Sequence, residues 1–119
     1  MKRTIVIGAS ANPDRYSYKA MIRLKEAGIE AIPVSNKRGE VAGETILQGT
    51  PEINGVDTVT LYVGPGNQQP YYDYIVSLQP DRVIFNPGTF NHELVEILKE
   101  HNIQPVEACT LVLLATGSY

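Results

Sequence analysis

A run of small residues follows the first apolar segment of the chain and could hold a phosphate group. It reads Gly8-Ala9-Ser10-Ala11-Asn12-Pro13. Small side chains let backbone N–H groups approach a ligand closely, and such groups converge on an oxyanion where a strand leads into a helix. Ser10 adds a hydroxyl donor, although the run departs from the G-x-G-x-x-G pattern of dinucleotide sites. The alternative is a tight connection that binds nothing, in which Asn12 and Pro13 only form the turn.

A second distinctive segment is basic and reads Ser35-Asn36-Lys37-Arg38-Gly39. A NAD site expects Asp or Glu after its second strand, where the carboxylate binds the ribose 2′-hydroxyl. Two cations in place of that carboxylate favour an adenosine with an additional phosphate, as in coenzyme A or NADP. The alternative is a solvated basic loop. Arg15 and Lys19 lie near the start of the first predicted helix, where a bound anion would offset their unfavourable interaction with the helix dipole.

Residues with catalytic potential are few. His92 and His101 fall within one predicted helical segment, and no cluster of His, Cys and carboxylates has the spacing of a metal site. Cys109 follows the last predicted strand and could face a ligand crevice. A nucleophilic cysteine needs a base or a cationic setting, however, and the sequence assigns neither histidine to it. A structural thiol is the favoured interpretation, and the sequence predicts no catalytic residue and no metal ligand.

Short apolar runs alternate with amphipathic segments, which predicts strands joined by helical crossovers. The predicted strands are residues 4–7, 31–34, 58–63, 83–85 and 105–108. The predicted helices are residues 17–27, 68–78 and 91–98, the last with Asn91 as its N-cap. Residues 40–55 are expected to be irregular, with at most a single turn near 51–53, and residues 111–115 to be a last helical turn or an extended tail. The pattern predicts one α/β domain over residues 1–119, with a Rossmann-like, doubly wound, five-stranded and mostly parallel sheet that has helices on both faces.

Four loops are expected to border one crevice. Ligands of an open parallel sheet bind at the carboxyl ends of its strands, near the point where the strand order reverses. The two segments described above lie there. Two further loops also follow strands, namely Gly64-Pro65-Gly66 and Asn86-Pro87-Gly88-Thr89.

The composition is that of an ordinary globular chain, with 43% hydrophobic and 19% charged residues. A net charge of −3 argues against a general affinity for nucleic acid, because phosphate backbones are bound by basic surfaces. No apolar stretch approaches the roughly 20 residues of a membrane span. With a single cysteine and no recognisable secretory signal, we expect a cytoplasmic protein without membrane attachment.

Several of these segments together resemble the small stand-alone CoA-binding domain family, whose members are similar to the nucleotide-binding domain of the succinyl-CoA synthetase α subunit. The resemblance lies in residues 6–13, Tyr16-Ser17-Tyr18-Lys19 and Ile32-Pro33-Val34, and it extends over nearly the whole chain. It implies phosphate contacts from Gly8, Ala9, Ser10 and Asn12, adenosine contacts from Pro33, Val34, Ser35 and Lys37, and a pantetheine side at Gly64 and Pro65. The chain departs from the family pattern at Ser35-Asn36 and at Asn86, where a Gln is common. The resemblance implies no ligase activity.

The leading hypothesis is a module that binds coenzyme A or an acyl-CoA, holds the phosphates at the first turn and performs no chemistry itself. The alternatives are an NADP-linked oxidoreductase subunit, an acyl-transfer enzyme that uses Cys109, and a regulatory module without a ligand. A homo-oligomer or a protein partner is compatible with each. The predicted cofactor contacts are Gly8, Ala9, Ser10, Asn12, Pro13, Ser17, Lys19, Pro33, Val34, Ser35, Lys37, Arg38, Gly64, Pro65 and Gly88.

Overall fold

The fold is built on a five-stranded parallel sheet, seen in a computed structural model that describes residues 2–119. The strands are β1 Arg3–Ile7, β2 Glu30–Val34, β3 Glu40–Val41, β4 Glu44–Thr45, β5 Thr58–Leu61, β6 Arg82–Phe85 and β7 Gln104–Glu107. The helices are α1 Tyr16–Glu26, α2 Tyr72–Leu78, α3 His92–Glu100 and α4 Thr110–Ala115. The main sheet has the order β2-β1-β5-β6-β7, so the predicted doubly wound α/β fold is confirmed.

Each face of the sheet has its own apolar core. On β1, Ile5 and Ile7 point to one face and Val6 to the other, as the alternation of strand side chains requires. The first face is covered by α2 and α3, for example through Ile75 and Leu98. The second face is covered mainly by α1, through residues such as Met21 and Leu24, with Leu114 of α4 packed against its edge. The predicted helices on both faces are therefore present.

The prediction for residues 40–55 was partly wrong. Strands β3 and β4 pair there as a short antiparallel hairpin, and its Val41 is buried in the core beneath α1. Leu47 then pairs with Val34 at the edge of β2. Glycines in this segment permit the tight hairpin. Its strands are only two residues long each, too short to be predicted from hydrophobic periodicity. Residues 51–53 contain no helical turn.

The segment between β5 and α2 also differs from prediction. Strand β5 ends at Leu61, and the expected long helix begins only at Tyr72. Two 3₁₀ turns, Pro65–Asn67 and Gln69–Tyr71, occupy the intervening residues. Proline lacks an N–H group, so Pro70 cannot donate within the body of an α-helix and is tolerated in such a first turn. The chain after β7 takes the helical alternative and forms α4.

The strand order reverses between β1 and β5. From β1 the chain moves outward to β2, then crosses to β5 and continues in the opposite direction through β6 and β7. The carboxyl ends of β1 and β5 consequently diverge into loops on opposite sides, which leaves a crevice between them. Within residues 2–119, no helix has the length and apolar character needed to cross a membrane.

Candidate functional site

A cleft of about 840 Å³ opens where the strand order reverses. Loops that follow β1, β2, β5 and β6 all contribute to it, as the sequence predicts. Its walls are formed by Gly8, Ala9, Asp14, Arg15, Tyr16, Ser17, Ser35, Asn36, Lys37, Tyr62, Val63, Gly64, Gly66, Asn67, Pro70, Tyr71, Pro87 and Thr89.

The floor of the cleft at Gly8 is determined by backbone packing. Gly8 has a φ of +92°, a conformation that side chains with a Cβ rarely adopt. A Cβ at this position would also lie 2.9 Å from the carbonyl carbon of Tyr62. Glycine is therefore required for the first turn to lie against the end of β5, independently of any ligand.

Two N–H groups of this turn are already paired within the protein. The N–H groups of Gly8 and Ala9 both donate to the carbonyl oxygen of Val34, at 2.9 and 3.2 Å. The side chain of Val34 is fully buried, so its carbonyl is its contribution to this corner. The first turn thus joins the ends of β1 and β2. The N–H groups of this turn that donate no hydrogen bond within the described chain are those of Ser10 and Ala11.

The start of α1 offers further free donors to the cleft. Its N-cap residue, Arg15, is extended and its side chain makes no capping hydrogen bond. Among the hydrogen bonds of residues 2–119, none is donated by the backbone N–H of Tyr16, Ser17 or Tyr18. The first turn of α1 contains no acidic residue. Unpaired N–H groups and the positive end of the helix dipole at one point form a site suited to an anion.

Side chains within the first loop set its shape. The Ser10 hydroxyl accepts a hydrogen bond from the N–H of Asn12 at 3.0 Å, and the Asn12 side-chain oxygen accepts one from the N–H of Asp14 at 3.0 Å. These are turns in which a short polar side chain replaces a backbone acceptor. Ser10 and Asn12 therefore hold the loop that leads to Arg15, whatever further contacts they make.

The basic loop after β2 packs directly against the first turn. A Cβ on Gly39 would lie 2.8 Å from that of Ala11, so the two loops touch. The buried hydroxyl of Ser35 accepts a hydrogen bond from the N–H of Lys37 at 3.2 Å. This turn places Lys37 on the cleft wall, while Arg38 is exposed outside the lining.

The opposite wall is held by a buried glutamine that the sequence analysis did not single out. Gln68 is fully buried, and its amide nitrogen donates to the carbonyl oxygens of Val63 at 2.9 Å and Thr89 at 2.7 Å. Its oxygen accepts from the side chain of Asn91 at 3.0 Å. Asn91 also caps α3 through the N–H groups of Glu93 and Leu94, which confirms its predicted role. Gln68 thereby ties the loop after β5 to the loop after β6.

Asn86 performs a similar function deeper in the sheet. Its buried side chain donates to the Thr60 hydroxyl at 2.6 Å and to the Leu61 carbonyl at 2.8 Å, and it accepts from the N–H of Thr110 at 2.8 Å. These bonds join β5, β6 and the start of α4. A polar residue directly after a buried strand is the sequence feature that indicates such a position.

The predicted contacts divide into two groups in the structure. Those on the cleft wall are Gly8, Ala9, Ser17, Ser35, Lys37 and Gly64. Those outside the described lining are Ser10, Asn12, Pro13, Lys19, Pro33, Val34, Arg38, Pro65 and Gly88. The Lys19 ammonium nitrogen lies 5.4 Å from the ring centroid of Tyr16, which itself lines the cleft.

The residues considered for catalysis lie apart from the cleft lining. Cys109 is half-buried at the N-cap of α4 and does not border the cleft in the described chain. His92 packs edge-on against the ring of Phe90, and His101 contacts the carbonyl of Ile97. Among residues 2–119, no group of three or more His, Cys, Asp or Glu could hold a metal ion.

Comparison with known proteins now gives the family. The model of a family described as "CoA binding domain" matches residues 2–115. The chain belongs to this family. The family description supports a coenzyme A ligand and gives no support to NADP.

A curated relative and two solved structures are similar to this chain in sequence, and the two structures share its fold. The chain is 31% identical over 106 residues to the uncharacterized protein YneT of Bacillus subtilis (strain 168), covering 83% of this chain and 74% of YneT. A crystal structure of an uncharacterized protein is 56% identical, with a TM-score of 0.98 and coverage of 100% and 98% of the two chains. A hypothetical protein from Pyrococcus horikoshii OT3 is 26% identical, with a TM-score of 0.85 over 93% of this chain and 80% of the other.

Proposed function

We propose that this protein binds coenzyme A or an acyl-CoA in the cleft and acts as a binding module without chemistry of its own. The observation that carries the proposal is the set of unpaired N–H groups at the start of α1, on residues 16–18, beside the cleft. The diphosphate of the cofactor would lie there, because a helix N-terminus with free donors is a preferred anion site. The N–H groups of Ser10 and Ala11 are the next nearest donors of the first loop.

The charges around this point favour the same assignment. Arg15 and Lys37 line the cleft with a single carboxylate, Asp14, near them. Arg15 immediately precedes α1, where a cation opposes the helix dipole in the absence of a bound anion. A diphosphate would relieve that repulsion and would pair with Arg15, which leaves Lys37 for another phosphate group.

The orientation of the cofactor follows from the basic loop. Lys37 and Arg38 follow β2, on the outer side of the first turn, where an adenosine 3′-phosphate would find two cations. The pantetheine arm would then extend the opposite way, past Gly64 and towards the loop after β6. Ser35 holds Lys37 in place through its hydroxyl, and the N–H of Ser17 is free to donate to the diphosphate.

A calorimetric comparison of coenzyme A, 3′-dephospho-CoA, NADP and NAD tests the proposal. We expect coenzyme A to bind more tightly than each of the other three. Lys37→Ala should weaken coenzyme A binding by about twofold to fivefold, the usual size of one exposed ion pair, and should leave 3′-dephospho-CoA binding unchanged.

Lys99→Ala is the matched control, because Lys99 lies in the last turn of α3, at the opposite end of the sheet. Lys99→Ala should leave the affinities for coenzyme A and 3′-dephospho-CoA unchanged, apart from the small effect of removing one positive charge from the protein. Failure of coenzyme A to bind would overturn the proposal. Equal binding of coenzyme A and 3′-dephospho-CoA would overturn the role given to the basic loop.

A further inference from the structure

The two ends of the cleft differ in charge. The end beside β1 and β2 contains all the charged side chains of the lining, namely Asp14, Arg15 and Lys37. The end beside β5 and β6 is formed by Asn67, Pro70, Tyr71, Pro87 and Thr89, which are all neutral. Coenzyme A bound as proposed above would place its thiol, and any acyl group on it, at this second end.

Strand spacing supports that placement. Strand β6 is three positions from β2 in the sheet order, and neighbouring strands lie about 4.8 Å apart, so the two ends of the cleft are separated by roughly 14 Å. An extended pantetheine arm that leaves a diphosphate at α1 would cross β5 and reach the loop after β6. The neutral end is therefore an acyl pocket in this orientation.

The helices that begin near the acyl pocket differ from α1 in the charge of their first turns. The first turn of α2 contains Asp73 and that of α3 contains Glu93, whereas the first turn of α1 contains no acidic residue. The start of α3 is capped by the Asn91 side chain, while α1 and α2 have no side-chain cap. Free donors and cations thus occur at the phosphate end, and carboxylates and a filled cap occur near the acyl pocket.

Three backbone N–H groups and one hydroxyl of the acyl pocket are committed to the protein, whereas the Asn67 side-chain amide and the Tyr71 hydroxyl make no hydrogen bond within the described chain. The N–H and the hydroxyl of Thr89 both donate to the carbonyl of Asn86, at 3.0 and 2.8 Å. The N–H of Tyr71 donates to the carbonyl of Gln68 at 2.8 Å, and that of Asn67 to the carbonyl of Gly64 at 2.9 Å. A neutral acyl group can pack against the two prolines and the Tyr71 ring. A carboxylate there would meet no cation among the lining residues, and Asp73 and Glu93 begin the two helices nearby.

We propose that the cleft selects thioesters of coenzyme A with uncharged acyl groups and discriminates against acyl groups that end in a carboxylate. This inference rests on the proposed function, because it requires coenzyme A to bind with its phosphates at α1. It adds the chemical class of the acyl group, which the family description does not give.

Calorimetry with coenzyme A, acetyl-CoA and succinyl-CoA tests the inference on the full chain. We expect acetyl-CoA to bind within about threefold of coenzyme A. Succinyl-CoA should bind about threefold to fivefold more weakly than acetyl-CoA, because its terminal carboxylate has no cationic partner at this end and lies near Asp73 and Glu93. Butyryl-CoA, which has the same chain length as the succinyl group without its second carboxylate, separates charge from size. It should bind like acetyl-CoA.

Asn67→Arg provides a gain-of-function test, because Asn67 is an exposed residue on the acyl-pocket wall. The new cation should reduce the preference for acetyl-CoA over succinyl-CoA by about twofold to fivefold, the size of one exposed ion pair. Asn36→Arg is the matched control, since Asn36 is an exposed asparagine on the wall at the phosphate end. It should strengthen the binding of both thioesters and leave their ratio unchanged.

The two proposals fail in different ways. If coenzyme A does not bind, the proposed function is wrong and the acyl preference falls with it. If coenzyme A binds and succinyl-CoA binds as tightly as butyryl-CoA, the function stands and the acyl preference is overturned. An equal change of the ratio in both arginine variants would also overturn it, because the charge would then act at a distance rather than in the acyl pocket.

Discussion

Gly8 lies directly against Tyr62, and a Cβ on Gly8 would stand 2.9 Å from the Tyr62 carbonyl carbon and 3.1 Å from its oxygen. The contact brings the turn after β1 onto the end of β5, the two strands between which the sheet order reverses. The mouth of the cleft is thus defined by a backbone-to-backbone approach. Gly8, which the sequence assigns to phosphate binding, is therefore also required for the packing of the fold.

Gly8→Ala is expected to destabilise the fold by about 2 kcal/mol or more, because it combines a strained positive φ with a clash against immobile backbone. Urea denaturation measures the change. Gly64→Ala is the control, since Gly64 has a φ of −64° and nothing lies within 4 Å of its built Cβ. The control should change stability by no more than about 0.5 kcal/mol. Equal losses in the two variants would contradict the interpretation.

The sheet, its strand ends and one helix cap could be read from the sequence. Buried strands are marked by short runs of β-branched residues, and each run predicts a loop at the carboxyl edge. Asn91 was recognisable as a cap because it precedes an amphipathic segment that carries an early glutamate. These features are local, so a single sequence contains enough information to place them.

The hydrogen bonds that connect the loops of the cleft could not be predicted from the sequence in the same way. The Val34 carbonyl takes up the N–H groups of Gly8 and Ala9, and the Gln68 side chain joins Val63 to Thr89. Both arrangements link residues that are 20 or more positions apart, and backbone carbonyls leave no trace in the side-chain pattern. Only the three-dimensional packing shows which donors remain free for a ligand.

Asn86→Ala is expected to lower the free energy of unfolding by about 2–4 kcal/mol. The change leaves the Thr110 N–H and the Leu61 carbonyl buried without their partners, and each such loss costs about 1–3 kcal/mol. Urea or thermal denaturation provides the measurement. Asn67→Ala removes the same amide from an exposed position and should be nearly neutral. If Asn86→Ala lowers the free energy of unfolding no more than this control, the hydrogen bonds of Asn86 do not stabilise the fold.

Gln68→Leu keeps a side chain of similar size but removes the three side-chain hydrogen bonds by which Gln68 joins the two loops on the far wall. We expect a loss of stability of about 2 kcal/mol or more and a weaker affinity for coenzyme A, because the wall loses its fixed position. Gln69→Leu is the matched control, since Gln69 is the exposed neighbour. Denaturation and calorimetry on both variants measure the two effects. An unchanged affinity of Gln68→Leu for coenzyme A would show that binding does not depend on the hydrogen bonds of Gln68.

Tyr62 places a buried hydroxyl without a hydrogen bond beside the hydroxyls of Thr60 and Thr110, which bond to each other at 2.7 Å. Burial raises the pKa of Tyr62 from 10.0 to about 12, although the nearby Thr110 and Thr60 hydroxyls lower it in part. The folded protein therefore retains the phenolic proton at a pH where the unfolded chain releases it. The contribution of Tyr62 to stability is fully present below pH 10 and is lost as the pH rises towards 12.

Tyr62→Phe should consequently flatten the alkaline part of the stability profile. Between pH 10 and pH 12 the wild-type protein should lose on the order of 2 kcal/mol more than the variant, since one pKa unit corresponds to about 1.4 kcal/mol. At neutral pH the variant should be as stable as the wild type or more so, because the removed hydroxyl is buried and unpaired. Urea denaturation at a series of pH values measures both effects, with Tyr16→Phe as control because Tyr16 is 69% exposed. If Tyr62→Phe is clearly destabilising at pH 7, the hydroxyl has a partner in solution, and the raised pKa must be explained by that bond rather than by burial.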